Sequence, residues 1–308
     1  MNVTTLAGGV GAARFLEGLL QAVPLADVTV ISNTGDDEEF FGLHVSPDID
    51  TVIYTLAGAI DPVQGWGLVG ESYESLAALR RFGYQTWFNL GDRDLATHAL
   101  RTQLLRDGAT LTEATRTIVE AFGLNFTLLP MSDDRVRTLV ETDNGTLAFQ
   151  EYFVKRRTED VVRAVRFEGA DTARPAPGVL EAIDRADAVI VAPSNPVVSI
   201  GPILAVPGIR DALRRTDARV VAVSPIIGGK TVKGPADRMM ASLGWTPTAA
   251  GVAEAYCDLL DVLVIDEEDR DLAPGIEATG VRAVVAPTIM RGPPEKRALA
   301  EVVLGAVQ

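Results

Sequence analysis

Carboxylates are concentrated in two short segments of this sequence, and their spacing could hold a divalent metal ion. The run Asp-Asp-Glu-Glu at positions 36–39 follows an apolar segment that predicts a strand, and Asp48 and Asp50 come soon after it. Packing so many like charges together is unfavourable unless a cation compensates for them. A few oxygen ligands, completed by water and phosphate, are typical of a Mg²⁺ site. We assign Asp37 and Asp50 to this predicted site.

Other roles are open for the neighbouring acids. Asp48 directly precedes a run with helical periodicity, where aspartate is a good N-cap. Glu38 and Glu39 are predicted to be solvated surface charges.

An arginine between two acids could supply a fixed cation. Asp92-Arg93-Asp94 precedes a segment of helical periodicity. An arginine held by neighbouring carboxylates presents a planar fork of N–H groups, which suits a phosphate or the polar edge of a ring. The alternative is a surface ion pair of little energetic consequence.

A glycine-rich turn near the start of the chain could approach a phosphate. Gly8, Gly9 and Gly11 follow a predicted strand and open a helical segment. Glycine lets backbone N–H groups approach an anion, and a helix N-terminus adds partial positive charge. Arg14 replaces the third glycine of the dinucleotide fingerprint, and Asn33 stands near the position of the ribose-binding acid, so NAD is disfavoured. A plain tight turn is the alternative.

A polar turn follows another predicted strand. Ser194 and Asn195 come directly after the apolar run at 188–192. Open α/β sheets bind ligands at the carboxyl ends of their strands, so both residues are candidates for nucleotide binding. A simple turn is again the alternative. The run Gly-Gly-Lys-Thr at 228–231 lacks the first glycine of a P-loop and is predicted to be a flexible loop, either a lid or a phosphate contact.

The elements that must position these residues predict an α/β fold. Short apolar runs alternate with stretches of helical spacing, and the runs lie at 3–6, 28–31, 188–192, 220–223, 262–265 and 281–285. Continuously apolar strands indicate a sheet that is buried on both faces. We therefore predict a Rossmann-like, mostly parallel sheet with helices on both faces.

The middle of the chain is different and predicts an insertion. Helical segments are followed by a hairpin whose turn contains Asn144-Gly145, a strong turn signal. We predict that residues 1–62 and 160–308 form the Rossmann-like core. Residues 63–159 would form an inserted helical and hairpin subdomain that caps the ligand edge of the sheet.

The composition excludes several classes of partner. Arginine and lysine total 28 against 42 acidic residues, a formal net charge of −14. Such a surface would repel nucleic acid, and adaptation to high salt is one explanation for it. A single cysteine excludes an internal disulfide. No apolar run reaches the roughly 20 residues of a membrane helix, and we recognise no secretory signal, so we expect a cytoplasmic protein.

Several long, unusual motifs occur in one order along nearly the whole chain. They are GGVG at 8–11, SPDIDTV at 46–52, LGDRD at 90–94 with ATH at 96–98, LPMSDD at 129–134, PSNP at 193–196 with SIGP at 199–202, VSPIIG at 223–228 and GVAE at 251–254. Together they resemble the 2-phospho-L-lactate transferases of coenzyme F-420 biosynthesis (CofD, with the actinobacterial relatives FbiA).

The resemblance implies an activity and a set of site residues. The family transfers a 2-phospho-L-lactyl group from lactyl-2-diphospho-5′-guanosine to the deazaflavin Fo (7,8-didemethyl-8-hydroxy-5-deazariboflavin), releases GMP and requires Mg²⁺. Its deazaflavin-contacting acid falls on Asp50 and its arginine on Arg93. Its guanosine diphosphate site is built around the opening glycines and the Ser194-Asn195 turn. It also implies a homodimer.

The resemblance leaves open which group the guanosine donor carries. Bacterial relatives use an enolpyruvyl donor, whereas an acidic, lysine-poor chain fits a salt-loving archaeal member and therefore the lactyl donor. We expect the Fo hydroxyl to attack the distal phosphorus directly, with Asp50 orienting or deprotonating that hydroxyl. Mg²⁺ held by Asp37 and its neighbours would offset the diphosphate charge, and Arg93 would grip the acceptor.

Two other classes of protein are alternatives to a transferase. A non-catalytic regulator of the YvcK group, which binds a UDP-sugar, would carry Asp-Asp-Gly-Gly-Ser-Ser-Gly after the second strand. This chain has Asp-Asp-Glu-Glu-Phe-Phe-Gly at 36–42. An NAD-dependent oxidoreductase would need the third glycine and the ribose acid that are missing here.

Overall fold

Seven parallel strands form the main sheet of the protein. The structure is a computed structural model and describes residues 1–307. In spatial order the strands are β5 (Thr127–Pro130), β2 (Val28–Ser32), β1 (Val3–Ala7), β9 (Ala188–Val191), β10 (Arg219–Val223), β13 (Val262–Ile265) and β14 (Arg282–Val285). Every neighbouring pair is parallel. The predicted Rossmann-like α/β fold is confirmed.

The other strands form small antiparallel sheets. They are β3 (Glu38–Phe40) with β4 (Leu43–Val45), β6 (Arg137–Thr142) with β7 (Gly145–Ala148) and β8 (Val162–Glu168), and β11 (Ile226–Ile227) with β12 (Lys230–Thr231). The predicted hairpin at Asn144-Gly145 is therefore confirmed as β6 and β7. Gly145 has a φ of 116°, which glycine adopts without the strain that a side chain would add.

Twelve α-helices lie within the described residues. They are α1 (Gly9–Ala22), α2 (Pro47–Leu56), α3 (Glu74–Arg81), α4 (Asp94–Arg106), α5 (Leu111–Ala121), α6 (Val179–Asp184), α7 (Gly201–Ala205), α8 (Ile209–Arg215), α9 (Ala236–Ser242), α10 (Ala249–Tyr256), α11 (Ala273–Glu277) and α12 (Pro293–Ala306). No single one is long and apolar enough to cross a membrane, although the bent pair Pro196–Ala205 and Ile209–Arg215 qualifies by combined length and composition.

Helices cover both faces of the main sheet. Successive side chains of a strand point to opposite faces. In β9, Ile190 packs with α1, α2 and α12, whereas Val189 and Val191 pack on the side of α6 to α11. Phe15 and Leu16 of α1 are fully buried against the first face. Burial on both faces favours apolar side chains by about 1.5–3 kcal/mol each, which explains why β9 and β13 are apolar without alternation.

The strand order reverses direction beside β1. The chain proceeds from β1 to β2 and β5 on one side, then returns to β9, β10, β13 and β14 on the other. In open α/β sheets a ligand binds in the crevice at such a reversal, beyond the carboxyl ends of the strands. The loops after β1 and β9 therefore border the expected site.

The predicted insertion requires a correction at its boundary. Thr127–Pro130 lies within 63–159, yet it pairs with β2 as an edge strand of the main sheet. Conversely, β8 lies in the predicted core region and pairs with β6 of the hairpin. Strand pairing depends on contacts between distant segments, so a short apolar run does not reveal which sheet it joins.

Candidate functional site

A cavity of about 590 Å³ opens where the strand order reverses. Gly8, Gly9 and Gly11 line it from the turn after β1, and Ser194 and Asn195 line it from the turn after β9. The structure thus brings together all five residues predicted to bind the nucleotide. Their binding role itself stays a prediction.

Close packing explains why this turn contains glycines at positions 8 and 11. A Cβ at Gly8 would lie 2.6 Å from the Cβ of Ser199, and a Cβ at Gly11 would lie 2.3 Å from the carbonyl oxygen of Pro193. One of the N–H groups is also engaged, because Gly8 N donates to Ser194 Oγ at 3.3 Å. The Asp48 carboxylate lies beside the backbone of Gly9. The turn therefore serves to bring α1 close to the segment after β9.

Two buried carboxylates, Asp36 and Asp48, face the cavity. The side-chain amide of Asn33 donates to both, at 3.1 Å to Asp36 Oδ1 and 2.9 Å to Asp48 Oδ2. Gln150 Nε2 donates to the other oxygen of Asp36 at 2.9 Å. Within residues 1–307, neither carboxylate forms a salt bridge with lysine or arginine.

The electrostatics of this pair are unfavourable without a cation. Burial, followed by the charges of Asp48 and Asp37, raises the pKa of Asp36 well above its ordinary value. Burial also raises the pKa of Asp48 to about 6. Amide donors stabilise a carboxylate less than a full positive charge does. A divalent cation bound here would remove this penalty.

The predicted metal ligand Asp37 points elsewhere. Its Oδ2 accepts a hydrogen bond from Ser46 Oγ at 2.7 Å and lies 3.0 Å from His44 Nε2. Asp37 is not among the residues that line the cavity, and its Oδ1 is buried without a hydrogen-bond partner in the described chain. Its role in metal binding stays a prediction.

The other predicted metal ligand, Asp50, lines the cavity but is neutralised by an arginine. Arg101 Nη1 donates to Asp50 Oδ2 at 3.1 Å, and Arg101 Nη2 donates to Oδ1. The Arg101 side chain is completely buried. The motifs in the sequence did not predict a role for Arg101. Its spacing from Asp94, two helical turns along α4, is the signal that could have found it.

Asp94 and His98 extend this polar group beneath the cavity. Tyr54 donates its hydroxyl to Asp94 Oδ1 at 2.6 Å, and His98 Nε2 lies 3.1 Å from the same oxygen. Burial opposes ionisation of Asp94, but His98, Tyr54 and Arg101 outweigh it and lower the pKa of Asp94. The chain of contacts fixes α2 against α4, which sets the position of Asp50.

The structure contradicts the expectation that Asp92 and Asp94 hold the side chain of Arg93. Asp92 accepts hydrogen bonds from Ser72 and from the first N–H groups of α3, while Asp94 is bound to Tyr54. Both acids therefore form hydrogen bonds with groups other than the Arg93 side chain. Arg93 is exposed, donates from Nη1 to the carbonyl oxygen of Val69 at 3.0 Å, and is not among the cavity-lining residues. Its contact with the acceptor stays a prediction.

Aromatic side chains form an apolar part of the cavity wall. Phe88 is stacked on Phe40 with ring centroids 4.1 Å apart, and Phe149 is stacked on Phe153 at 5.5 Å. Phe88, Phe149, Phe153 and Trp66 line the cavity. Flat apolar surfaces of this kind suit a planar ring system. These residues come from three separate segments, so sequence spacing did not indicate them.

With this geometry established, comparison with known proteins identifies the family. The family described as 2-phospho-L-lactate transferase CofD matches residues 3–284. The chain belongs to the CofD family. The predicted membership is therefore confirmed, and so is the prediction that the protein is an enzyme, a transferase.

Relatives across the CofD family carry two names. A Streptomyces griseus protein named phosphoenolpyruvate transferase is 48% identical over 296 residues, which is 94% of this chain and 93% of the relative. A Methanosarcina acetivorans protein named 2-phospho-L-lactate transferase is 42% identical over 300 residues, 97% of each chain.

A solved structure supports the fold. A protein of the UPF0052 family from Bacillus halodurans superposes with a TM-score of 0.66 and 18% identity, covering 98% of both chains. At this identity the comparison concerns the architecture alone.

Proposed function

We propose that this protein transfers a 2-phospho-L-lactyl group from lactyl-2-diphospho-5′-guanosine to the deazaflavin Fo and releases GMP, as a step of coenzyme F-420 biosynthesis. The observation that carries the proposal is the composition of the cavity at the strand reversal. It combines an uncompensated acid pair, a turn fit to approach a phosphate and an aromatic wall. A metal-bound diphosphate donor and a planar acceptor require these three features together.

Mg²⁺ fits the acid pair that the structure exposes to the cavity. No group of three or more His, Cys, Asp or Glu side chains suited to a metal occurs in residues 1–307. Mg²⁺ commonly takes one or two carboxylates and completes its shell with water and substrate phosphate oxygens. Asp36 and Asp48 match this donor set, whereas Asp50 is already paired with Arg101. When bound, the metal would offset the negative charge of the diphosphate.

The proposed reaction is a direct displacement at phosphorus. The acceptor hydroxyl forms a new bond to the phosphorus that carries the lactyl group. The bond from that phosphorus to the oxygen bridging to GMP breaks, GMP leaves with the electron pair, and the hydroxyl proton is released. Both oxygens of Asp50 accept hydrogen bonds from Arg101, so this carboxylate is suited to orient the hydroxyl rather than to take its proton.

An enolpyruvyl donor is the second candidate, and one observation favours it. Relatives named phosphoenolpyruvate transferase are 48% and 49% identical to this chain, whereas those named 2-phospho-L-lactate transferase are 42% and 40% identical. Both donors present the same guanosine diphosphate portion, so the features described above serve either one.

The test is to incubate the protein with Fo, Mg²⁺ and each guanosine donor separately, and to measure the product by mass spectrometry. We expect phospholactyl-Fo and an equal amount of GMP. A product formed only from the enolpyruvyl donor would select the second candidate. Absence of product with both the lactyl and the enolpyruvyl donor would contradict the transferase proposal.

Matched variants make the test specific to the site. Asp36→Asn should lose most turnover, because it removes one of the two proposed metal ligands. Glu39→Gln removes the same charge from an exposed residue nearby and should retain activity.

Arg93→Met tests the proposed acceptor contact through the KM for Fo. Sedimentation of the purified protein tests the proposed homodimer.

A further inference from the structure

Three lysine or arginine side chains among the described residues line the cavity, and none of them is paired with a carboxylate in residues 1–307. They are Arg14 of α1, Lys233 after β12 and Arg291 before α12. The chain carries 42 acidic residues against 28 lysines and arginines, so acidic partners are abundant elsewhere. Unpaired cations that converge on one cavity of an acidic protein indicate an anionic ligand.

Lys233 lines the cavity, is exposed to solvent and has only a neutral partner. Its Nζ donates to the backbone carbonyl of Gln64 at 2.9 Å. Partial burial and the positive charge of Arg14 lower the pKa of the Lys233 amine, so the two cations lie close enough to repel each other. An anion between them would replace this repulsion with two attractive interactions.

Arg14 is held in place by the loop that precedes α12. Its Nη2 donates to the carbonyl oxygens of Met290 and Arg291. The same loop is fixed by Thr288, whose backbone N–H and hydroxyl both donate to Asp266 Oδ2 at 2.8 Å. Because these partners are neutral carbonyls, they leave the positive charge of Arg14 uncompensated.

The glycine turn alone does not supply the positive charge that a diphosphate requires. The N–H of Gly8 is bonded to Ser194 Oγ, and the Asp48 carboxylate lies beside the backbone of Gly9. The start of α1 is thus partly satisfied by the protein itself. Besides the proposed metal ion, side-chain cations in the same cavity can supply positive charge to a phosphate group.

We propose that Arg14 and Lys233 bind the diphosphate of the guanosine donor, with Lys233 exchanging the Gln64 carbonyl for a phosphate oxygen. This inference depends on the proposed function, because it assigns the donor's diphosphate to that cavity. The diphosphate would then lie between a cationic pair on one side and the acid pair with its metal on the other.

Calorimetric titration with GDP and with GMP tests the assignment. Lys233→Met should weaken GDP binding by about tenfold or more, as expected for loss of a charge-assisted hydrogen bond, and should affect GMP binding much less. Lys233→Arg should stay within about threefold of the wild type, because it keeps the charge. Raising the salt concentration should weaken GDP binding more steeply in the wild type than in Lys233→Met.

Lys230→Met is the matched control. Lys230 belongs to the loop predicted to contact a phosphate, but its side chain is exposed and does not line the cavity, so its removal should leave GDP affinity unchanged. Arg14→Met should behave like Lys233→Met. Because Arg14 also contacts backbone carbonyls, circular dichroism must first show that this variant is folded.

The outcomes separate this inference from the proposed function. If the wild type binds GDP and Lys233→Met binds it equally well, the inference is overturned and the proposed function stands. If GDP affinity is unchanged while the KM for the complete donor rises, the cations serve the donor's carboxylate and the diphosphate assignment is wrong. If the wild type binds no guanosine nucleotide, both fail.

Discussion

Asp50 and Arg101 form a two-point ion pair beneath the cavity. Arg101 Nη1 donates to Asp50 Oδ2 at 3.1 Å and Nη2 donates to Oδ1, and both side chains are buried. Burial opposes the charge of Arg101, but the Asp50 carboxylate more than compensates and the pKa of Arg101 is raised. The residue proposed to orient the acceptor is therefore also part of the interior of the fold.

We predict that Asp50→Asn and Arg101→Met each lower the free energy of unfolding by about 3–5 kcal/mol, because each leaves an uncompensated buried group. The double variant should recover part of this loss, which a double-mutant cycle with urea denaturation measures. The exposed pair Arg297–Glu301 is the control, and Arg297→Ala should cost less than about 1 kcal/mol. An Asp50→Asn variant with unchanged stability and no turnover would show that Asp50 acts only on the substrate.

Unlike Asp50→Asn, the variant Asp36→Asn should change the stability of the fold very little. Asp36→Asn removes a repulsive charge, and Gln150 can rotate its amide to pair with the new side chain. We expect the free energy of unfolding to stay within about 1 kcal/mol of the wild type. The rise in melting temperature that Mg²⁺ with GDP should cause in the wild type would be lost. A large destabilisation without ligands would show that the pair is structural.

Ionised Asp266 should stabilise the fold and hold the loop at Thr288, so that the stability of the protein depends on pH in the acid range. Its carboxylate accepts hydrogen bonds from the backbone and hydroxyl of Thr288 and from Glu268 N. Burial opposes its ionisation, but these hydrogen bonds outweigh burial and lower the pKa of Asp266 below 3.8. Its contribution is therefore complete above about pH 4 and is lost as the pH falls through the lowered value.

Asp266→Ala tests this dependence. The variant should lose about 1–2 kcal/mol of unfolding free energy at pH 7, a cost typical of a lost capping carboxylate. Urea denaturation near pH 3 should show a smaller difference from the wild type. A difference that does not change with pH would mean that hydrogen bonds to the ionised form are unimportant.

Gly11 should be intolerant of a side chain because of close packing. A Cβ there would lie 2.3 Å from the carbonyl oxygen of Pro193, with backbone on both sides of the contact. We expect Gly11→Ala to lower the melting temperature and to cost about 1–3 kcal/mol.

Gly275 provides the comparison for Gly11, because nothing lies within 4 Å of its Cβ position in α11. Gly275→Ala should be neutral or stabilise by up to about 1 kcal/mol. Equal behaviour of the two variants in thermal melts would refute the packing argument.

The sequence by itself determined the fold class and the family. Strands and helices follow from local apolar spacing, so the runs at 3–6 and 188–192 correctly predicted β1 and β9. The glycine turn and the Ser194-Asn195 turn follow these strands, and parallel strands bring their carboxyl ends to one edge. Their meeting at one cavity was therefore predictable from the sequence.

Only the tertiary structure decided how the charges are paired. Asp50 finds its partner 51 positions away in Arg101, while Asp36 and Asp37, adjacent in sequence, face the cavity and the β4 side respectively. The acids beside Arg93 are bound by Ser72 and Tyr54 instead. An ion pair depends on distance and burial in space, and spacing along the chain specifies neither for residues on different elements.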